Sequence, residues 1–288
     1  LKEVLAENAR DPDALALRGS IALMQKRPTD AIADFRSILR DDPNSERALK
    51  LLAQAHLANN EPALARENLH KAVEANPQDP RTRLLLARLY LAENDPASAI
   101  KELEAGIGAM PTDISLHQAL IQVHGSQDQW SKAEQVAKAL RDRLPDQAVG
   151  YQLVGLVQGR QNKLDAAVES FEAALQREPG AVQPLAGLAR ALAAQGKVDE
   201  AIARVNDAIA RHANAAAAYT LLGQLYLSQK KSGEAEEALR NALEASPKAP
   251  AAYRNLGSYY LAAGEVDKAL DTFRKGVEVL PEDQSLQF

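Results

Sequence analysis

An alanine recurs every 34 residues along nearly the whole chain: Ala31, Ala65, Ala99, Ala133, Ala167, Ala201, Ala235 and Ala269. Twelve residues after seven of them stands a proline: Pro43, Pro77, Pro111, Pro145, Pro179, Pro247 and Pro281. The remaining slot holds Ala213. Four residues after each alanine comes Phe35, Leu69, Leu103, Ala137, Phe171, Val205, Leu239 or Phe273. A fixed period of this length requires one supersecondary unit repeated many times, each copy burying its apolar face against its neighbours.

The period also dictates the unit. Within each repeat, apolar or aromatic residues stand at the fourth and eleventh positions, as in Leu185 with Leu192, Tyr219 with Tyr226 and Tyr253 with Tyr260. A spacing of seven keeps such a pair on one face of a helix. The eighth position between them is small in seven repeats: Gly19, Ala53, Ala87, Gly155, Ala189, Gly223 and Gly257. A turn residue follows (Asn60, Asn94, Asn162, Gly196 or Gly264), suited to the left-handed conformation that ends a helix. Pro28, Pro62 and Pro96 then fit the first turn of a second helix. The recurrent alanine is expected where the two helices approach most closely, the large residue after it to fill the space beyond, and the final proline to stop the helix. Alanine and leucine with Glu, Gln, Arg and Lys dominate, all strong helix formers. The reading is an all-α chain of helix–turn–helix hairpins.

This pattern resembles the tetratricopeptide repeat: small at position 8, Tyr or Leu at 11, Ala at 20, bulky at 24, small at 27, Pro at 32. The resemblance implies an α-solenoid of eight units in a right-handed superhelix whose first helices line a concave groove. In that frame the complete units are 12–45, 46–79, 80–113, 114–147, 148–181, 182–215, 216–249 and 250–283. Leu1 and Val4 match the end of a preceding unit within 1–11, and 284–288 the start of a following one. The expectation is a single 1–288 solenoid cut from a longer array, with self-association possible through uncapped ends. Unit 114–147 is irregular, with His117 and His124 at the aromatic slots, Ile121 at the small slot and Ala137 at the bulky one.

Composition excludes several classes of function. The chain is 46% hydrophobic, 25% charged and carries a net charge of −5, which fits a folded protein and argues against bulk binding to nucleic acid or anionic membrane. It has no cysteine, which excludes disulfides, thiolate metal sites and cysteine nucleophiles and fits cytoplasm and periplasm equally. No apolar run approaches the roughly 20 residues that span a bilayer. There is no phosphate-binding glycine loop, nucleophile elbow or His-Glu-x-x-His, so no catalytic residue, cofactor or metal is expected. His117 and His124 share a helical face but occupy packing slots, and Trp130 is read as structural.

The resemblance also says which side of the array to search. In the family, positions 2, 5, 9, 12 and 13 of each first helix tend to face the groove. Here those 40 positions hold seven bases (Arg47, Lys50, Arg81, Arg88, Arg160, Arg190 and Arg254) and one acid, Asp13. The chain as a whole has 39 acids to 34 bases, and many acids fall on second helices, among them Asp34, Glu67, Glu102 and Glu237. Amides also fall at or near the inward face: Gln54, Gln118, Gln122, Gln152, Gln183 and Gln224. Arginine can grip a carboxylate with two parallel hydrogen bonds, and an amide can serve a peptide backbone as donor and acceptor. The expected partner is an acidic protein or peptide segment, with Arg47, Lys50, Arg81 and Arg88 as the densest cluster. The alternatives are an architectural scaffold, resembling in sequence style the long tetratricopeptide lipoproteins of bacterial exopolysaccharide systems, and a substrate-recruiting array attached to a catalytic domain elsewhere.

Overall fold

A computed structural model describes residues 2–211 and 215–286, so Ala213, in the one slot without proline, and Leu1 lie outside the described residues. The chain divides into two compact units, Leu1–Val136 and Ala137–Phe288. Every regular element among the described residues is helical.

In the first unit a short α1 (Lys2–Glu7) precedes α2 (Pro12–Met24), α3 (Pro28–Asp41), α4 (Glu46–Ala58), α5 (Pro62–Ala75), α6 (Pro80–Ala92), α7 (Pro96–Ala109) and α8 (Ile114–Ser126). The chain passes from this unit to the next within α9 (Trp130–Arg143). The second unit continues with α10 (Ala148–Arg160), α11 (Leu164–Arg177), α12 (Val182–Ala194), α13 (Val198–Ala210), α14 (Ala215–Ser228), α15 (Ser232–Ala245), α16 (Pro250–Ala262) and α17 (Val266–Val279). A single 3₁₀ turn, Gln284–Leu286, follows.

The same local chemistry closes every hairpin. The residue at position 15 has positive φ in all eight: Lys26, Asn60, Asn94, Asp128, Asn162, Gly196, Lys230 and Gly264. The next backbone N–H donates back to the carbonyl of position 11, as in Glu61 to His56 and Lys197 to Leu192 at 2.8 and 2.9 Å. This left-handed cap satisfies carbonyls that the helix end would otherwise leave bare. At the other turn the proline follows a residue held in extended geometry, such as Asn76 at φ −140° and ψ 84°, as the ring of a following proline demands. Asp11, Asp95 and Asp113 cap the next helices by accepting from backbone N–H groups at 2.8, 3.0 and 2.9 Å.

All eight recurrent alanines are fully buried, at 0% exposure. Positions 8 and 24 also interlock closely. A Cβ placed on Gly19 would stand 2.5 Å from the Phe35 ring, and one on Gly257 2.4 Å from Phe273. Position 8 is small because the large residue of the partner helix fills its space. Burying each such ring or leucine contributes about 1.5–3 kcal/mol. The polar residues at position 11 are buried with partners supplied. His56 and His124 hydrogen-bond Glu61 and Gln129 at 2.6 and 3.0 Å.

Candidate peptide-binding surface

Each unit displays a row of first helices. In the first, α2, α4, α6 and α8 carry the inward positions. Arg81, Arg88, Gln54, Gln118 and Gln122 are exposed there, and the Arg81 and Arg88 side chains make no ion pair among the described residues. Arg47 is exposed but donates to Asp13 at 2.8 Å. Lys50 is half-buried and holds Glu46 at 2.5 Å and Asp79 at 3.1 Å. Of the four cations expected to cluster, two therefore already have acidic partners. Burial pulls the Lys50 ammonium down, but the two carboxylates outweigh it and hold its pKa above the ordinary lysine value. Burial likewise pushes the Asp79 carboxyl up. Thr82, Lys50 and the Arg81 backbone N–H together hold it well below the usual carboxylate range.

The acids Glu46 and Asp79 sit at positions 1 and 34, just outside the inward set, and sequence reasoning passed over them. Two of the acids on second helices are also internal partners. Asp34 accepts from Arg18 at 2.8 and 2.5 Å, and Glu102 accepts from the buried Arg83 at 2.5 Å. Arg83 occupies position 4, an aromatic or leucine slot elsewhere.

In the second unit, α10, α12, α14 and α16 carry the row. Arg160 is exposed without an ion pair among the described residues. Arg190 is exposed and donates through Nε to the Ala186 carbonyl at 3.1 Å. Arg254 donates to Ser285 Oγ at 2.6 Å. Gln152 is half-buried, and Gln183 and Gln224 are exposed. Two cavities open along this row. One, of about 370 Å³, is lined by Gln224, Leu227, Asn255, Ser258 and Tyr259. The other, of about 280 Å³, is lined by Leu156, Gly159, Arg160, Phe171 and Arg190.

The charge count also passed over a set of leucines. Leu57 and Leu91 in the first unit, and Leu227 and Leu261 in the second, stand at position 12 and are 37–48% exposed. Their 34-residue spacing was the available signal. Among the described residues no group of three or more His, Cys, Asp or Glu side chains is placed to hold a metal ion. No helix among them is long and apolar enough to cross a membrane.

A tetratricopeptide repeat profile matches residues 22–89, 57–122 and 160–225, and a second matches 220–283. Together the matches cover well over half of the chain. The chain belongs to the tetratricopeptide repeat family. Such repeats are in general protein–protein interaction modules. The structure of yeast Tom70 resembles this fold with a TM-score of 0.59 and 18% identity, over 88% of this chain and 55% of that one. A tetratricopeptide repeat protein from Parabacteroides merdae does so with a TM-score of 0.51 and 17% identity, over 84% of this chain and 96% of that one. A structure of the APC/C hetero-tetramer Cut9–Hcn1 aligns with 99% of this tetratricopeptide chain and 56% of that one, at 16% identity and a TM-score of only 0.46. The chain thus spans little more than half the length of Tom70 and of that last chain. A search of curated proteins returned no match.

Proposed function

We propose that the first-helix faces bind an acidic peptide segment of a partner protein. One observation carries this reading: Arg81, Arg88, Arg160 and Arg190 are exposed at inward positions with no acidic partner among the described residues, while the one acid there, Asp13, is already bonded to Arg47. An unpaired guanidinium forms charge-assisted, bidentate bonds to a carboxylate more readily than one that must first give up an internal partner. Gln54, Gln118, Gln122, Gln152 and Gln224 would serve the peptide backbone. Lys50 contributes to the field of the site but is held by Glu46 and Asp79.

The test is an array of acidic and neutral peptides probed at low and moderate salt with the wild type and with Arg81→Glu/Arg88→Glu. Preference for acidic peptides, weakening with salt and loss in the double variant are expected, because exposed ion pairs are screened. Equal binding by both proteins, or none, would sink the proposal. The architectural alternative, a scaffold in a bacterial polysaccharide-export assembly, rests on likeness of sequence style alone. It predicts self-association, which sedimentation would reveal.

A further inference from the structure

The 280 Å³ cleft in the second unit is shaped differently from the rest of its row. Its floor is the Phe171 ring, and Leu156, Leu164 and Ala191 form its walls. Two glycines there are required by packing: a Cβ on Gly155 or Gly187 would lie 3.0 or 2.4 Å from that ring. Gly159 is not required in this way, because a Cβ built on it meets nothing within 4 Å. It stands at position 12, where Leu57, Leu91, Leu227 and Leu261 stand in other hairpins. Glycine weakens a helix relative to any of these, and neither the fold nor the helix needs it here. Its effect is to leave the cleft open.

Two cations border that opening, from successive first helices. Arg160 is exposed and unpaired among the described residues. Arg190 uses only its Nε on the Ala186 carbonyl, which leaves both terminal nitrogens for an outside acceptor. The neighbouring 370 Å³ cavity has Gln224, Asn255 and Ser258 instead and no charge. An apolar cavity of about 150 Å³ accepts a benzene ring, so this one has room for a single large side chain and its adjoining backbone.

Resting on the peptide-binding reading above, we propose that this cleft takes one large apolar side chain of the partner segment, with acidic residues beside it held by Arg160 and Arg190. The match is of charge as well as shape: an apolar floor under two unpaired guanidinium groups suits a hydrophobic residue flanked by carboxylates.

The test uses the whole 288-residue chain and a labelled twelve-residue peptide with one phenylalanine between pairs of glutamates in a Ser-Gly background. Companion peptides replace the phenylalanine with serine or the glutamates with glutamine. By fluorescence anisotropy, the phenylalanine peptide is expected to bind about tenfold tighter than the serine peptide, the effect of burying one apolar side chain in a pocket. Gly159→Leu should erase that advantage and leave the serine peptide unchanged. Arg160→Gln/Arg190→Gln should weaken both acidic peptides and not the glutamine version. If the acidic peptides bind and Arg160→Gln/Arg190→Gln weakens them, but Gly159→Leu changes nothing, the cleft assignment alone is overturned. If no acidic peptide binds, both readings fall. Amide shifts of Gly159 and Leu156 on peptide addition provide a second readout that needs no variant, and their absence while the peptide binds would overturn the cleft assignment.

Discussion

Gly150 lies against the backbone of Arg141: a Cβ built on the glycine would stand 2.4 Å from the Arg141 Cα and 2.8 Å from its nitrogen. Backbone cannot rotate aside as a side chain can. Gly150→Ala is therefore expected to destabilise the second unit by about 1–3 kcal/mol, despite the better helix propensity of alanine. Thermal melting followed by circular dichroism measures it. Gly159→Ala is the matched control and should stabilise by about 1 kcal/mol. Similar midpoint shifts in the two variants would mean that α9 and α10 separate easily.

Lys230 holds φ at 59° in a turn where Gly196 and Gly264 hold the equivalent places. A side chain in that conformation costs about 1–2 kcal/mol. Lys230→Gly should raise the melting midpoint, with most of that cost recovered after the glycine's greater freedom in the unfolded chain is subtracted. A lowered midpoint would show that the lysine side chain earns its place by some other contact.

Arg83 and Glu102 form an ion pair in which the side chains are only 10% and 14% exposed. Arg83→Leu alone strands the carboxylate and is expected to cost about 3 kcal/mol or more. Arg83→Leu/Glu102→Leu should recover most of it, since an apolar pair of similar volume packs there without desolvating charge. Denaturant unfolding of both variants decides; equal loss in single and double would rule out the stranded-charge account.

Asp79 titrates below its ordinary range in the folded protein, because Thr82, Lys50 and the Arg81 backbone N–H outweigh the opposing effect of burial. A carboxylate depressed in the folded state stabilises above its unfolded pKa of about 4 and loses that contribution as pH falls further. The stability gap between wild type and Asp79→Asn should therefore be full at neutral pH and shrink below about pH 4. A gap independent of pH would locate the effect in the neutral helix cap instead.

Asp13 bonds Arg47 across two exposed side chains. Asp13→Asn frees that guanidinium and removes the one inward acid. Affinity for acidic peptides should rise a few-fold, the scale of an exposed ion pair, and the salt dependence should steepen. Unchanged affinity would exclude Arg47 from the contact.

The hairpins were legible because each repeats a signal whose cause is local: the αL turn at Asn60 or Gly264, the prolines, the buried alanines. Eight copies average away the weakness of any one. The close fit of Gly257 against the Phe273 ring lies between helices, and spacing along one helix does not reveal it. The site was legible as a list of charges and no further. That Lys50 is shared between Glu46 and Asp79, and that Arg83 reaches Glu102, depends on residues 4 to 29 positions apart meeting in space.

By itself, then, the sequence determined the repeat, its helical content and its turns, because periodic burial and backbone preference act within one hairpin. The tertiary structure decided which arginines stay unpaired and where the Phe171 cleft opens. Ion pairs such as Lys50–Asp79 and Arg83–Glu102 join residues well separated along the chain, and the charge of a residue says nothing of whether a neighbour has already neutralised it.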